Sequence, residues 1–329
     1  MNLWQVRQII RSKTGCAVRR FITGVVVCLL LFLCVACKKN PPETGTQGKI
    51  QIVVSLFPLY DFTRTIGGDK VKATLLLPPG LEAHSFEPKP DDIIRANKSD
   101  LFIYTNRYME PWAENIANGL DPRKTLVVNA SQGVTFLRAG HDVKHGHAEH
   151  DGEGMDPHIW LDFANARIMV DTILSALVDK DPAHRAYYTA NAEAYKARLR
   201  ELDDRFRSEL SQCGKQIFLH GGHFAFGYLA NRYGLRYESA YAVSANAEPS
   251  PAKIAGLIRQ IKKNGLHHIY TEELVEPRIA DTISRETGAT ILKLHGAHNI
   301  SKADLAAGAT FLSLMEQNLK NLKIGLQCR

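Results

Sequence analysis

Asp181 to Leu210 reads DPAHRAYYTANAEAYKARLRELDDRFRSEL. Asp181 followed by Pro182 supplies an N-cap and a first-turn proline. Tyr187, Tyr188, Ala192, Tyr195, Leu199, Leu202 and Phe206 then recur mostly at steps of three and four, the spacing of one helical face. The pattern predicts one long helix over Pro182 to Leu210, with another at Ala164 to Leu177 before it. A strut of this kind joins its two flanks stiffly and limits the hinge closure that a flexible linker permits.

Both flanks alternate short β-rich runs with helical stretches. Before the strut, Lys49–Ser55, Val71–Leu77, Leu101–Thr105 and Thr125–Asn129 read as strands, and Leu59–Ile66, Pro90–Asn97 and Glu110–Asn118 as helices. After it, the strands are Gln216–His220, Tyr237–Val243, His267–Thr271 and Ala289–Leu294. The helices are Phe224–Tyr233, Ser250–Asn264, Pro277–Thr287 and Lys302–Leu322, with Gly234, Gly265 and Gly288 placed as stops. Repeated βα units imply an α/β fold: two lobes, each a mostly parallel sheet flanked by helices, joined by a long rigid α-helix. The expected divisions are an N-terminal lobe at 49–163, connecting helices at 164–212 and a C-terminal lobe at 213–329.

The first residues read as an address. Arg7, Arg11, Lys13, Arg19 and Arg20 precede an acid-free apolar run, Phe21 to Ala36, of sixteen residues. That is shorter than the ~20 a helix needs to cross a bilayer, so a signal peptide at 1–36 is expected rather than a permanent span. Leu33-Cys34-Val35-Ala36-Cys37 resembles a bacterial lipoprotein cleavage box, with Cys34 where that pattern usually has Leu. The resemblance implies lipidation at Cys37, with residues 37–48, rich in Pro, Gly, Thr and charge, as a tether. The globular part is then extracytoplasmic, held to the cell membrane by its lipid.

Removing the signal takes away five of the 41 Lys/Arg and none of the 34 Asp/Glu, so the net charge falls from +7 to +2. No basic patch remains to suggest a nucleic-acid partner. Of six cysteines, only Cys213 and Cys328 are left beyond the lipidation site, and in an exported protein two such thiols either pair or stay free.

Thirteen histidines are the most informative feature. His84, in Gly80-Leu81-Glu82-Ala83-His84-Ser85-Phe86-Glu87-Pro88, follows a strand. His158, in Asp156-Pro157-His158-Ile159-Trp160-Leu161-Asp162, precedes the first connecting helix. His223, in Gly221-Gly222-His223-Phe224-Ala225-Phe226-Gly227-Tyr228, lies between a strand and a helix, and His295 follows the last strand, with His298 three residues on. Open α/β folds place their ligands at such junctions. A zinc ion takes three or four N, S or O ligands, and imidazole donors suit it better than they suit magnesium, calcium or manganese. His184, His267 and His268 carry no such signal, and His220, ending a strand near His223, reads equally as a support for the metal ligands or as a histidine bonded to backbone. Glu87, Asp156 and Asp162 are the near-sequence carboxylates available to orient the rings.

These strings, in this order and followed by Tyr233-Gly234-Leu235, resemble the solute-binding lipoproteins of zinc and manganese ABC importers, cluster A-I, of the high-affinity zinc-uptake type. The likeness covers the chain after Lys49. It implies a cleft between two lobes where His84, His158 and His223 hold the metal, and a monomer that delivers Zn2+ to an ABC transporter permease. The family's fourth ligand varies; here its position carries His295, with His298, Glu272, Glu273 or water as substitutes. His141, His145, His147 and His150, within 141–155 among acids and glycines, resemble the His/acid loop of zinc-type members, a secondary metal loop. Some members are described as adhesins.

Two further readings compete. A manganese carrier of the same type is separated by metal competition. An exported zinc hydrolase requires an open coordination position and a base, but the chain has no His-Glu-x-x-His string and no Gly-x-Ser-x-Gly elbow. A binding protein rather than an enzyme is therefore expected.

Overall fold

The structure, a computed structural model, describes residues 48–138, 154–243, 248–274 and 276–329. The expected signal peptide, Cys37, nearly all of the tether, and His141, His145, His147 and His150 lie outside these residues. Gly48–Arg329 is one compact unit. Among the described residues no helix is long and apolar enough to cross a membrane.

The first sheet contains β1 (Ile50–Val54), β2 (Val71–Leu75), β3 (Leu101–Tyr104) and β4 (Leu126–Asn129), in the order β2-β1-β3-β4 with every pairing parallel. Helices α1 (Phe57–Gly67), α2 (Pro90–Asn97) and α3 (Pro111–Gly119) connect them. The second sheet repeats this plan with β5 (Ile217–His220), β6 (Arg236–Ser239), β7 (His268–Thr271) and β8 (Thr290–Lys293), ordered β6-β5-β7-β8 and again parallel. Its helices are α6 (Gly227–Tyr233), α7 (Pro251–Asn264) and α8 (Arg278–Thr287), after the connecting α4 (Phe163–Lys180) and α5 (Arg185–Leu210). The two expected sheets and their connecting helices are present.

Several boundaries differ from expectation, the helix expected from Phe224 beginning at Gly227 among them, and three have a local reason. Pro182–His184 forms a 3-10 turn before α5, because the Asp181 carboxylate accepts from His184 Nδ1 at 2.6 Å and from the Tyr188 hydroxyl at 2.8 Å. Tyr187 accordingly faces outward, and the buried face of α5 runs Tyr188, Ala192, Tyr195, Leu199, Leu202, Phe206 and Leu210. Strand β6 stops at Ser239, since Tyr241 N–H and the Ala242 carbonyl bond the loop around His223 instead of extending the ladder. The single helix expected over Lys302–Leu322 is two, α9 (Lys302–Ala306) and α10 (Phe311–Gly325). Gly308 at φ 76 breaks the first, and Thr310 with Ser313 forms a capping box that restarts the second.

The strut is packed on both sides by one continuous core. Phe62 of α1 meets Tyr195 of α5 at 5.5 Å between ring centroids and Phe311 of α10 at 5.2 Å, while Phe163 of α4 meets Phe206 at 5.2 Å. Asp61, buried beneath them, accepts from Phe311 N–H at 3.0 Å and Tyr195 OH at 3.2 Å. Burial raises its pKa despite these bonds. The C-terminal helix α10 therefore returns to cap the first lobe. Arg232 of α6 reaches Asp203 of α5 and Asp162 at 2.8 Å, and Asp162 also N-caps α4 through Ala164 N–H. Cys213, just beyond α5, is disulfide-bonded to Cys328, 115 residues on.

Candidate metal centre

Parallel strands deliver every chemically interesting loop to the same end of each sheet, the carboxyl ends of the strands. His84 sits in the loop after β2. That loop is pinned by Trp112 Nε1 donating to the Ala83 carbonyl at 2.9 Å. Asn299 of the loop after β8 also pins it, donating to the Pro78 and Leu81 carbonyls at 2.9 and 2.7 Å. His158 follows the long connection after β4, where Asn106 Nδ2 holds the Pro157 carbonyl at 3.1 Å. His223 follows β5, with its carbonyl accepting from Tyr237 OH at 3.1 Å.

The three rings converge. Centroids are 5.5 Å apart for His84 and His158, 5.9 Å for His84 and His223, and 5.1 Å for His158 and His223. One ligand atom from each lies within 4.8 Å of the others. Behind His158, Asp156 Oδ1 accepts from both the backbone N–H at 3.0 Å and ring Nδ1 at 2.8 Å. Behind His223, Glu272 accepts from the backbone N–H at 3.1 Å and from ring Nδ1. A neutral ring that donates through Nδ1 presents a lone pair at Nε2. The Nε2 atoms of His158 and His223 then face each other at 3.2 Å, and His84 Nε2 is buried with no hydrogen-bond partner among the described residues. Two lone pairs at that distance repel unless a proton or a metal cation lies between them. A tetrahedral ion with bonds of about 2.0–2.1 Å has an edge of about 3.3 Å, so the pair fits zinc without rearrangement.

The electrostatics favour neutral, ligating imidazoles at two of the three positions. Burial pushes His84 down to about 4 and His158 well below the ordinary histidine value, with neighbouring rings adding to the effect. His223 goes the other way: burial alone lowers it, but the Glu272 carboxylate on its Nδ1 more than offsets that. Glu272 is itself held down at about 2, because the His223 charge outweighs its burial.

The fourth position is expected at His295, with His298, Glu272, Glu273 or water as substitutes. His295 is clasped by Asn318, which accepts its N–H at 2.7 Å and donates to its carbonyl at 2.8 Å, and its Nδ1 accepts from Ala297 N–H at 2.9 Å. Like His298 it lies outside the three-histidine group, and its Nε2 is buried with no hydrogen-bond partner among the described residues. Ala297 adopts φ 58, a left-handed turn that redirects the chain, and His298 is the residue of this loop that approaches: its ring centroid is 5.6 Å from His223. His298 Nδ1 is buried without a partner. Glu272 is occupied on His223, and Glu273 accepts from Gly296 N–H at 2.9 Å.

Of the three carboxylates nearest in sequence, Asp156 orients a ring, whereas Asp162 caps α4 and pairs with Arg232. The acid behind His223, Glu272, lies just past the end of β7, 49 residues away. No spacing rule exposes it; the only signal is a Glu-Glu pair at a strand end. His184 pairs with Asp181 on the strut, and His220 is buried with Nδ1 accepting from Gly222 N–H at 3.2 Å.

Residues 52–325 match the family described as ZnuA: Zinc-uptake complex component A periplasmic. The chain belongs to the ZnuA family. It is 34% identical over 311 residues to the high-affinity zinc uptake system protein ZnuA of Bacillus subtilis, covering 92% of this chain and 97% of that one. It is also 34% identical to the zinc-binding lipoprotein AdcA of Streptococcus pneumoniae over 89% of its length, but spans only 58% of AdcA. The Zn(II)-bound ZnuA-like domain of that AdcA superposes with TM-score 0.72 at 33% identity, covering 85% of this chain and 99% of that domain. A laminin-binding protein of Streptococcus agalactiae, described as having adhesin and metal-transporting activity, superposes at 0.74 with 29% identity, covering 84% of this chain and 99% of that one. This ZnuA-family chain thus shares its two-lobed α/β fold with metal-binding lipoproteins.

Proposed function

We propose that this protein is an extracytoplasmic lipoprotein, anchored through Cys37, that captures Zn2+ between its lobes and delivers it to the permease of an ABC importer. His84, His158 and His223 supply three imidazole ligands. His298 is best placed to supply a fourth, with His295 behind it. The role is binding and release, with no bond chemistry. The observation that carries the reading is the approach of His158 and His223 through Nε2 while each Nδ1 rests on a carboxylate. That is the arrangement a zinc-bound histidine needs.

The donor set supports zinc over manganese. Three or four imidazoles, with no carboxylate in the three-residue group found among the described residues, favour the softer cation, and manganese prefers oxygen ligands. The relatives named for zinc uptake and zinc binding support the same choice.

The test is calorimetric titration of metal-free protein from which 139–153 has been excised. Arg138 and Met155 already form an antiparallel bridge, so the cut ends lie close together. One Zn2+ per chain, not displaced by manganese in excess, supports the proposal. Tighter retention of manganese reverses the choice of cargo, a demanding outcome because zinc stands above manganese in the divalent affinity series. Loss of all tight binding on excision would transfer the site to the histidine-rich segment.

A further inference from the structure

Three glycines fall within seven residues of the connection between β5 and α6: Gly221, Gly222 and Gly227. None is among the glycines with positive φ, so the backbone accepts alanine at each; what distinguishes them is the space a methyl group would enter. At Gly221 it would strike helix α8, meeting Ala280 Cβ at 2.8 Å, N at 2.9 Å and Cα at 3.0 Å. At Gly222 the first atom met is Glu272 Oε1, followed by His220 Cε1 at 2.6 Å and Glu272 Cδ at 2.9 Å. At Gly227 it is Asp156 Oδ2, followed by Phe224 Cε1 at 2.8 Å.

Glu272 and Asp156 are the two carboxylates that hold the rings of His223 and His158. We propose that Gly222 and Gly227 are positioning residues of the metal centre, each leaving the room in which one of these carboxylates sits. This inference rests on the zinc reading and extends it to residues that themselves offer no atom to the metal. Glu272 Oε1 accepts from His223 N–H while Oε2 takes Nδ1. A methyl at 222 displaces Oε1 and rotates the carboxylate off the ring. Asp156 uses Oδ1 for both bonds to His158 and rests Oδ2 against Gly227. A methyl at 227 turns that carboxylate about the same bond and withdraws Oδ1. Each imidazole then loses the partner that fixes its tautomer and aims its Nε2. Gly221 is the internal contrast: its obstacle includes backbone of α8, so its role is packing.

The experiment compares Gly221→Ala, Gly222→Ala and Gly227→Ala in the full chain. Zinc affinity is read by competition with a fluorescent chelator, ligand geometry by the visible spectrum of the cobalt(II)-loaded protein, and stability by thermal unfolding of the metal-free form. Gly222→Ala and Gly227→Ala are expected to weaken zinc about 10–100-fold, the usual cost of losing an outer-shell partner, and to alter the cobalt spectrum. Gly221→Ala is expected to lower the unfolding temperature while keeping the parent's affinity and spectrum. Because glycine and carboxylate act through one contact, Gly222→Ala combined with Glu272→Gln binds zinc no more weakly than Glu272→Gln alone; Gly227→Ala behaves likewise with Asp156→Asn.

Parental affinity in both glycine variants, or losses that add in the combined variants, overturns the inference. If Gly222→Ala or Gly227→Ala does not fold, pairing it with Glu272→Ala or Asp156→Ala removes the oxygens the methyl would strike. Recovery of the fold supports the inference and persistent misfolding overturns it. Absence of zinc binding in the parent overturns the zinc reading and this inference together, whereas parental binding in the glycine variants overturns this inference alone.

Discussion

His158 and His223, 65 residues apart in the chain and on different lobes, bring their Nε2 atoms to 3.2 Å while each ring's Nδ1 is held by a carboxylate. The pairing spends the donor nitrogen of each ring on the protein and leaves the acceptor nitrogen for a cation. His84 completes a three-sided arrangement from a loop pinned across the cleft by Asn299.

Replacing one of these rings should therefore cost far more than replacing a histidine elsewhere. Apparent zinc-binding free energies of about 10–16 kcal/mol, shared over three or four ligands, amount to about 2.5–5 kcal/mol each, or roughly 10²–10⁴-fold in affinity. His84→Ala, His158→Ala and His223→Ala are each expected to show a loss of that order in chelator competition. His184→Ala, whose ring pairs with Asp181 on the strut, should retain the parent's value. Equal affinity across all four would remove the site from these loops.

The order of elements was readable because parallel βα units leave a strong pattern: short Val/Ile/Leu runs such as Ile50–Val54 and Leu101–Tyr104, then helices with Pro at their starts and Gly at their ends. What the pattern hid was tertiary. Ser239 looks like mid-strand until Tyr241 and Ala242 are seen to serve the His223 loop. His295 and His298 are equivalent by spacing, and only the left-handed turn at Ala297 brings His298 toward His223. Glu272 could be seen at a strand end but not assigned to a ring in the loop after the neighbouring strand β5. The histidines themselves stood out because imidazole at successive strand ends has few other uses.

Proton competition should be shallow. Burial already keeps His84 neutral down to about 4 and holds His158 well below the ordinary histidine value, so among these rings only His223, raised by Glu272, carries a proton to be displaced near pH 6.5. Zinc affinity then falls as pH drops through the His223 value, by about tenfold per pH unit for one proton released and not the thousandfold expected of three. It levels off above that value, where the ring is already neutral. Calorimetry in buffers of different ionisation enthalpy counts the protons directly: close to one per zinc at pH 6 agrees with this account, and close to three contradicts it.

The disulfide closes 115 residues of chain, from the end of α5 to the C-terminus, and encloses the second lobe. Its loss should relax the unfolded chain more than the site. Cys213→Ala with Cys328→Ala is expected to lose about 2–5 kcal/mol of unfolding free energy, read by urea titration of the metal-free protein. Zinc affinity at 25 °C should be unchanged, because Cys213 and Cys328 lie outside the hydrogen bonds that hold His84, His158 and His223. An affinity loss matching that of a ligand variant would show that the link shapes the cleft itself.

The most direct measurement is a crystal structure of the zinc-loaded protein with anomalous data on both sides of the zinc edge, which fixes element, position and ligands at once. The account predicts a single strong peak about 2.0–2.1 Å from Nε2 of His84, His158 and His223, with Asp156 and Glu272 still on the opposite ring nitrogens. A zinc peak away from these three rings, or one bound by carboxylates alone, would contradict it.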